Sequence, residues 1–296
     1  MAEQISEQIT ERISEKGKRY HSRISAEGGA LGLQLSELYR YRELIFMFTV
    51  RNFTLSYKQT ILGPLWIVIR PFAASVIQMI IFGRVARIPT DGIPMILFYL
   101  FGNALWGFFA SCVGSTANTF ASNAYLFGKV YFPRLTVPLS QVLTAFIGFL
   151  VQILPGVFLY LWYLSRGEVQ APGPAVLLLP LLMLVLGLMG MGVGIIASSL
   201  TTRYRDLQVL VGFGMSLWMY LTPVVYPLSI SEGSGFRNLL LMNPVTAPME
   251  FYRYALFHRG SVLPPQLACS VLAAGILLAV GIPLFQKVER TFMDTI

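Results

Sequence analysis

Six long apolar stretches, separated by shorter polar segments, constrain this chain more than any other feature of its sequence. A helix needs roughly 20 apolar residues to cross the hydrocarbon core of a bilayer, and each stretch is about that long. The predicted fold class is therefore an all-α polytopic membrane protein with six transmembrane helices. The predicted spans are residues 61–83, 94–114, 136–164, 174–200, 207–226 and 265–285.

The composition agrees with this interpretation. Hydrophobic residues make up 55% of the 296 residues and charged residues only 12%. That leaves too little polar surface for a water-soluble protein of this size. Runs such as residues 175–186 do not alternate apolar and polar side chains, as the strands of an outer-membrane barrel would.

The N-terminal region is polar and forms the first of three predicted parts. Residues 1–10 have no apolar core, so we expect no removable signal peptide. We predict that residues 1–36 are a cytoplasmic tail, either flexible or loosely helical. Cys112 and Cys269 lie in apolar segments without zinc-site spacing, so we expect neither a disulfide framework nor a metal site.

The second part, residues 37–60, mixes apolar and basic side chains. It is too polar to span a bilayer but suits an amphipathic helix in the headgroup layer, with its basic side toward anionic lipid. A buried helix of a soluble domain is the alternative interpretation. The third part, residues 61–296, is the six-span domain. The interfacial candidates are Arg40, Arg42, Arg51, Tyr57 and Lys58.

Basic residues predict the orientation. Lys129, Arg134, Arg203 and Arg205 flank spans on the same side as the tail, and so does Lys287. Cytoplasmic loops carry an excess of Lys and Arg, so both termini are predicted to be cytoplasmic. The formal net charge of +8 is explained in this way and requires no nucleic-acid partner.

The predicted cytoplasmic loop between the second and third spans is rich in large rings. Exposed aromatic side chains beside basic residues favour a docking element for a partner protein. The alternative is a loop that rests on the membrane interface with its rings as anchors. The candidate residues are Asn123, Tyr125, Phe127, Lys129, Tyr131, Phe132 and Arg134.

Residues 226–264 are too interrupted by Pro and Gly to span, and too apolar for a free loop. Pro227 and Pro244 are two of the interruptions. We predict a re-entrant pair of short helices that forms an outer gate. An ordinary folded extracellular loop is the alternative.

Arg70, followed by Pro71, lies inside the first predicted span. An arginine in hydrocarbon is costly unless it faces a polar cavity or pairs with an acid. We favour an Arg70 that faces a channel and meets an anionic part of the substrate. Snorkelling to the interface and a structural ion pair are the alternatives.

Aromatic residues cluster in and near the first and fifth spans. Sugar rings have apolar C–H faces that can slide over aromatic faces, so such a set would suit a glycan channel, although a single aromatic residue is more often a packing residue. With Arg70, the channel candidates are Trp66, Phe72, Phe213, Trp218, Tyr220 and Tyr226.

Small residues in the fourth span predict close helix packing rather than nucleotide binding. Gly190, Gly194 and Ser198 recur at four-residue spacing, which permits helices to approach closely. The chain contains no GxxxxGK[ST] phosphate loop. We therefore expect no ATPase or other catalytic residue in this chain.

Several short motifs occur in a specific order. Together they resemble the permease subunit of ABC-type polysaccharide exporters, the class that moves O-antigen, capsule or teichoic acid. They cover about residue 38 to the C-terminus. The motifs are Tyr57-Lys58-Gln-Thr-Ile-Leu62-Gly63-Pro64-Leu65-Trp66, Phe132-Pro133-Arg134, Arg203-Tyr-Arg205-Asp206-Leu207, Thr222-Pro223-Val-Val-Tyr226-Pro227, and Asn243-Pro244 with Arg253.

This resemblance implies a homodimer of six-span subunits that works with two copies of a separate ATPase, which would bind ATP and Mg²⁺. The loop at residues 123–133 would be the coupling helix, and residues 37–60 the gate helix. The first and fifth spans would line the channel, and Pro227, Asn243, Pro244 and Arg253 would belong to the outer gate. Arg70 departs from the family pattern, in which a neutral residue such as glutamine often precedes this proline.

The predicted function is ATP-driven export of a lipid-linked polysaccharide across the bacterial inner membrane. The nearest alternative is an exporter of drugs or other lipids with the same architecture. A polytopic glycosyltransferase would need a carboxylate pair at one membrane face, which the sequence does not offer. A passive channel or proton-coupled transporter is disfavoured because no carboxylate lies within a predicted span.

Overall fold

The computed structural model describes residues 35–58, 61–63, 65–127, 132–201 and 206–293. All regular secondary structure in these ranges is helical, which confirms the predicted all-α class. The tail of residues 1–34 lies outside them. The α-helices are α1 (Leu35–Arg40), α2 (Arg42–Tyr57), α3 (Leu65–Gln78), α4 (Met95–Ala117), α5 (Thr119–Phe127), α6 (Thr136–Ser165), α7 (Leu179–Thr201), α8 (Leu207–Tyr220), α9 (Phe236–Met242), α10 (Thr246–Phe257) and α11 (Pro264–Met293).

Five helical segments have the length and composition to cross a membrane. They correspond to the first, second, third, fourth and sixth predicted spans. A π-helix at Met79–Val85 extends α3 to the length of a span, and a 3₁₀ helix at Pro174–Leu178 extends α7 at its start. The five segments are Leu65–Val85, Met95–Ala117, Thr136–Ser165, Pro174–Thr201 and Pro264–Glu289.

The predicted fifth span is shorter than expected. α8 has 14 residues, about 21 Å at 1.5 Å per residue, which is less than the roughly 30 Å of hydrocarbon. The prediction carried the span to residue 226, but the helix ends at Tyr220. Pro223 follows, and proline cannot donate the hydrogen bond that would continue a helix. A sixth crossing stays a prediction.

α4 is the central helix of the bundle and packs against α3, α6 and α7. Its most apolar window is 78% buried, whereas that of the first span is 6% buried. α7 approaches α4 through glycine: a Cβ built on Gly194 would lie 2.6 Å from Thr116 Cβ, and one on Gly190 would lie 2.7 Å from Cys112 Cβ. The predicted packing role of these small residues is confirmed.

The predicted helix over residues 37–60 is two helices, α1 and α2, separated at Tyr41. α2 packs on α6 through buried Ile45, Phe48 and Thr49, and the Thr49 hydroxyl donates to the Ser140 carbonyl at 3.3 Å. Leu44 and Phe53 are partly buried. The exposed apolar side chains of α2 are Phe46, Met47, Val50 and Leu55. Its position at a membrane interface stays a prediction.

The predicted pair of short helices after the fifth span is present as α9 and α10. α10 is buried over most of its length, from Thr246 to Phe257. This burial is compatible with the re-entrant pair and with the alternative of an ordinary folded extracellular loop. The re-entrant position relative to a membrane stays a prediction.

Candidate functional site

A polar cavity of about 890 Å³ opens between α2, α3, α4 and α6. Two arginines line it, Arg51 from α2 and Arg70 from α3, together with many amide and hydroxyl side chains. None of the described residues in its lining is Asp or Glu. Some of these groups already have partners within the protein: Asn103 Nδ2 donates to Ser75 Oγ and to Gln78 Oε1, both at 2.8 Å.

The Arg70 side chain is exposed and is placed over an aromatic ring. Its guanidinium carbon lies 5.1 Å from the centroid of the Trp66 ring, within the range of a cation–π contact. Within the described ranges, Arg70 forms no ion pair, so the structure does not support the alternative of a structural pair. Arg70 and Trp66 both line the cavity, and their role in a channel stays a prediction.

A stripe of polar residues on α6 was missed by the sequence analysis. Gln141, Thr144, Gly148 and Gln152 follow each other at helical spacing and all line the cavity. This spacing was a usable signal, because residues three or four apart share one face of a helix. The segment was predicted as an ordinary span because most of the residues between them are apolar.

The other channel candidates do not converge on this cavity. Phe72 of α3 and Phe213 and Tyr220 of α8 are exposed, and none lines it. They lie on helices that bury little surface within this chain. These three rings would line a channel only if a second protomer covered them, and that role stays a prediction.

Trp218 and Tyr226 are held by contacts within the protomer. The Trp218 ring packs edge-on against Trp106 and Phe109, with centroids 6.5 and 5.2 Å apart. Its indole N–H donates to Asn243 Oδ1 at 3.0 Å. The Tyr226 hydroxyl donates to the Tyr220 carbonyl at 2.7 Å. These contacts give both side chains a packing role.

The predicted coupling segment is only partly exposed. α5 is bent at Asn123, whose φ of −123° and ψ of 15° are not helical. Tyr125 is 76% exposed, as expected, but Phe127 and Phe132 are 2% and 5% exposed. The expectation that these two rings face the cytosol is wrong. Lys129 and Tyr131 lie outside the described residues.

The two buried rings belong to a core cluster at one end of the bundle. This end cluster joins the coupling segment to α2, α6, α7 and α11, and burying the two rings there removes their apolar surface from water. Its closest ring pair is Phe120 and Phe285, with centroids 4.5 Å apart. Its members are Phe48, Phe120, Phe127, Phe132, Val137, Met191, Ile195 and Phe285.

Arg134 closes the same cluster and is also buried. Its Nε lies 3.4 Å from Glu289 Oε1, and its Nη1 donates to the Glu289 carbonyl at 2.9 Å. Its guanidinium carbon lies 5.2 Å from the Phe127 ring centroid. Arg134 was expected on an exposed docking surface, and the structure instead buries it between the coupling segment and α11, where it contacts both.

The basic residues of α1 and α2 differ in their surroundings. Arg40 and Lys58 are exposed, and Arg42 stacks on Tyr39 at 4.9 Å. Arg51 stacks on Phe48 at 4.7 Å and lines the polar cavity. The Tyr57 side chain lies outside the described residues.

Asn243 and Pro244 form the turn between α9 and α10 and contact two further helices at the opposite end of the bundle. Asn243 Nδ2 donates to the Leu221 carbonyl and to Thr222 Oγ1, both at 2.8 Å. The Pro244 carbonyl accepts from Ser270 Oγ at 2.6 Å. Pro227 is buried nearby in sequence, just before a 3₁₀ turn. These contacts fix the turn between α9 and α10 against the ends of α8 and α11.

Arg253 of α10 forms a buried ion pair. Its Nη1 donates to Glu250 Oε1 at 2.9 Å and its Nη2 to the Val224 carbonyl at 3.1 Å. The guanidinium carbon lies 4.1 Å from the Phe98 ring centroid. Burial lowers the pKa of the Arg253 guanidinium, and the adjacent Glu250 carboxylate opposes that shift. The ion pair therefore fixes α10 to the carbonyl of Val224 in the segment after α8.

Comparison with known proteins agrees with this architecture. Two similar proteins are O-antigen export system permease proteins RfbA. The one from Myxococcus xanthus is 28% identical over 263 residues, which is 88% of this chain and 98% of the relative. The one from Klebsiella pneumoniae is 28% identical over 253 residues, which is 85% of this chain and 94% of the relative. The family model for ABC-2 type transporters matches residues 43–257, and the chain therefore belongs to the ABC-2 type transporter family.

Proposed function

We propose that this chain is the membrane-spanning subunit of an ATP-driven exporter that moves a lipid-linked polysaccharide across the bacterial inner membrane. The proposal is supported by the O-antigen export permeases that align with nearly all of the chain. The structural observation that carries it is the polar cavity, in which arginine, amide and hydroxyl groups lie beside Trp66 and Trp106. Hydroxyl-rich sugars need such hydrogen-bonding groups, and their C–H faces suit aromatic rings.

An exporter of drugs or other lipids is the second candidate. Small apolar substrates bind in pockets lined mainly by apolar side chains with few polar groups. The cavity here carries two arginines and a polar stripe from α6. The two arginines favour a substrate with an anionic group, as a lipid-linked glycan has, over a neutral apolar compound.

The active assembly in this proposal is a homodimer. α3 and α8 support it, because Ser75 is the one fully buried residue of α3 and α8 has none. Cβ atoms built on Gly212 and Gly214 of α8 would meet nothing within 4 Å. A second copy that covers these helices would bring the exposed rings of Phe72, Phe213 and Tyr220 to a shared channel.

Energy would come from two copies of a separate ATPase that bind ATP and Mg²⁺. In this proposal the kinked helix α5 is the coupling element, Tyr125 contacts the ATPase, and Phe127, Phe132 and Arg134 anchor the segment in the bundle. Both termini and α5 would then be cytoplasmic, and α9 and α10 would lie on the outer side.

Reconstitution tests the proposal. The chain and its ATPase, placed together in vesicles with a lipid-linked O-antigen-type glycan in the outer leaflet, should move the glycan to the lumen when ATP is added. Glycan oxidation by an impermeant reagent would measure the remaining outer pool. ATP turnover by the chain alone, or transport that does not need the ATPase, would contradict the proposal.

A further inference from the structure

The polar cavity combines two unpaired cations with hydrogen-bonding groups deeper in the bundle. Arg51 and Arg70 come from different helices, and neither forms an ion pair with a described residue. Each guanidinium lies over a ring, Arg51 on Phe48 and Arg70 on Trp66. Arg51 Nη2 donates to Asn52 Oδ1 at 3.2 Å, and the other N–H groups of Arg51, like those of Arg70, can donate to phosphate oxygens.

Gln152 extends this surface into the bundle. It lies 16 residues after the start of α6, or about 24 Å along the helix axis at 1.5 Å per residue. Its amide makes no hydrogen bond with a described residue, and it faces Gly107, where a Cβ would lie 3.5 Å from Gln152 Oε1. An amide at this depth requires a partner, and the bare backbone at Gly107 leaves room for one.

We propose that this cavity, inside a single protomer, binds the sugar-phosphate end of a lipid-linked glycan. Arg51 and Arg70 bind the phosphate, and the Gln152 amide hydrogen-bonds a hydroxyl of the first sugar. The assignment rests on the proposed function, and it adds a binding site distinct from a channel between two protomers. A phosphate of an ordinary phospholipid would use the arginines alone, so Gln152 distinguishes the two sources of phosphate.

Equilibrium binding to the intact complex with its ATPase, in nanodiscs of phosphatidylcholine, tests the site. The probes are radiolabelled farnesyl-diphospho-N-acetylglucosamine, farnesyl diphosphate and phosphatidic acid. Arg51→Gln and Arg70→Gln should each weaken both diphosphate probes at least about tenfold, the loss expected for one charged hydrogen bond. Gln152→Ala should weaken the sugar-bearing probe and leave farnesyl diphosphate unchanged.

Arg166→Gln is the matched control, because Arg166 also stacks on a tryptophan, at 3.9 Å from Trp162, but does not line the cavity. It should leave all three affinities unchanged. Unchanged binding in both cavity arginine variants would overturn the site. The sugar assignment would be overturned if phosphatidic acid bound as tightly as the sugar-bearing probe and Gln152→Ala left the affinity for that probe unchanged.

Two further measurements separate folding and transport from binding. Co-elution of each variant with the ATPase in size-exclusion chromatography shows that the complex is intact. Normal export by the wild-type complex together with unchanged variant affinities would refute the cavity site alone. Absence of export by the wild-type complex would refute the proposed function.

Discussion

At the scale of single residues, two of the ion pairs among the described residues differ sharply in their exposure to solvent. Arg253 and Glu250 are 4% and 2% exposed, whereas Arg237 and Glu232 are 32% and 68% exposed. Removing one partner of a buried pair leaves an uncompensated charge in a low dielectric. An exposed pair is screened by water and contributes little.

Glu250→Gln should therefore destabilise the protein by about 3 kcal/mol or more. The Ser261 amide, which donates to Glu250 Oε2 at 3.1 Å, would also lose its charged acceptor. Thermal unfolding of detergent-purified protein should show a lower midpoint. Glu232→Gln is the control, with an unchanged midpoint expected. Equal midpoints for the two variants would show that the buried pair does not stabilise the fold.

A second contrast between residues lies within the coupling segment. Tyr125 is exposed and Phe127 is buried in the end cluster, although they are two residues apart. Tyr125→Ala should leave the unfolding midpoint unchanged and weaken the affinity for the ATPase about tenfold, as for an aromatic hot spot of an interface. Surface plasmon resonance with the purified ATPase measures this affinity. Unchanged affinity would remove Tyr125 from the interface.

Phe127→Ala should, in contrast to Tyr125→Ala, lower the stability of the fold. It removes a ring from a packed core, which costs about 3–5 kcal/mol, so the unfolding midpoint should fall strongly. A mild loss of stability with a strong loss of ATPase affinity would mean that Phe127 becomes exposed in the complex.

At the scale of helices, close packing of α7 on α4 depends on glycine. Gly194→Ala would place a methyl group 2.6 Å from Thr116 Cβ and 2.8 Å from the Val113 carbonyl oxygen. Neither atom is the end of a flexible side chain, so the helices must separate at a cost of about 1–3 kcal/mol. Gly114→Ala is the control, since its Cβ would meet nothing within 4 Å. Thermal unfolding should place the first variant below wild type and the second at or above it.

Sequence patterns predicted the positions of the helices better than they predicted which side chains are in contact in the folded chain. Apolar length identified five spans within a few residues, because the hydrocarbon thickness sets that length directly. The fifth predicted span is shorter than expected because its helix ends before Pro223, and hydropathy alone does not show this. The burial of Phe127, Phe132 and Arg134 depends on Phe48 and Glu289, which are distant along the chain. An aromatic ring in a polar segment has the same sequence signature whether it is buried or exposed.

At the scale of the whole molecule, the fold could be predicted from the sequence but the site could not. The site depends on contacts between residues that are distant along the chain. The all-α class and the resemblance to permeases of ABC-type polysaccharide exporters were predicted from the spans and the motif order, and the ABC-2 family model agrees with them. The cavity was not predicted, because it needs Arg51, Arg70 and the α6 stripe to meet from three helices. Arg70 alone was a signal, since a charge inside a span has to be explained. Its neighbours became visible only when the helices were packed.

The exposed face of α8 leads to a prediction about assembly. α4 is largely buried by its neighbours, but α8 has no fully buried residue, and it carries Phe213 at 60% exposure. If α8 contacts a second copy, cysteines placed on it lie near their symmetry mates, because a two-fold interface brings the same patch of both subunits together. Phe158 of α6, 73% exposed, belongs to no predicted interface and serves as the control.

Phe213→Cys in a Cys269→Ala background should give a dimer-sized band with a short bis-maleimide in native membranes, whereas Phe158→Cys should not. Cys269 must be replaced because it is exposed, whereas Cys112 is buried and can remain. Denaturing electrophoresis separates the two sizes. Equal cross-linking at both positions would indicate random collision in the membrane. A dimer band from Phe158→Cys alone would place the subunit contact on α6, and with it the channel on a different face of the bundle.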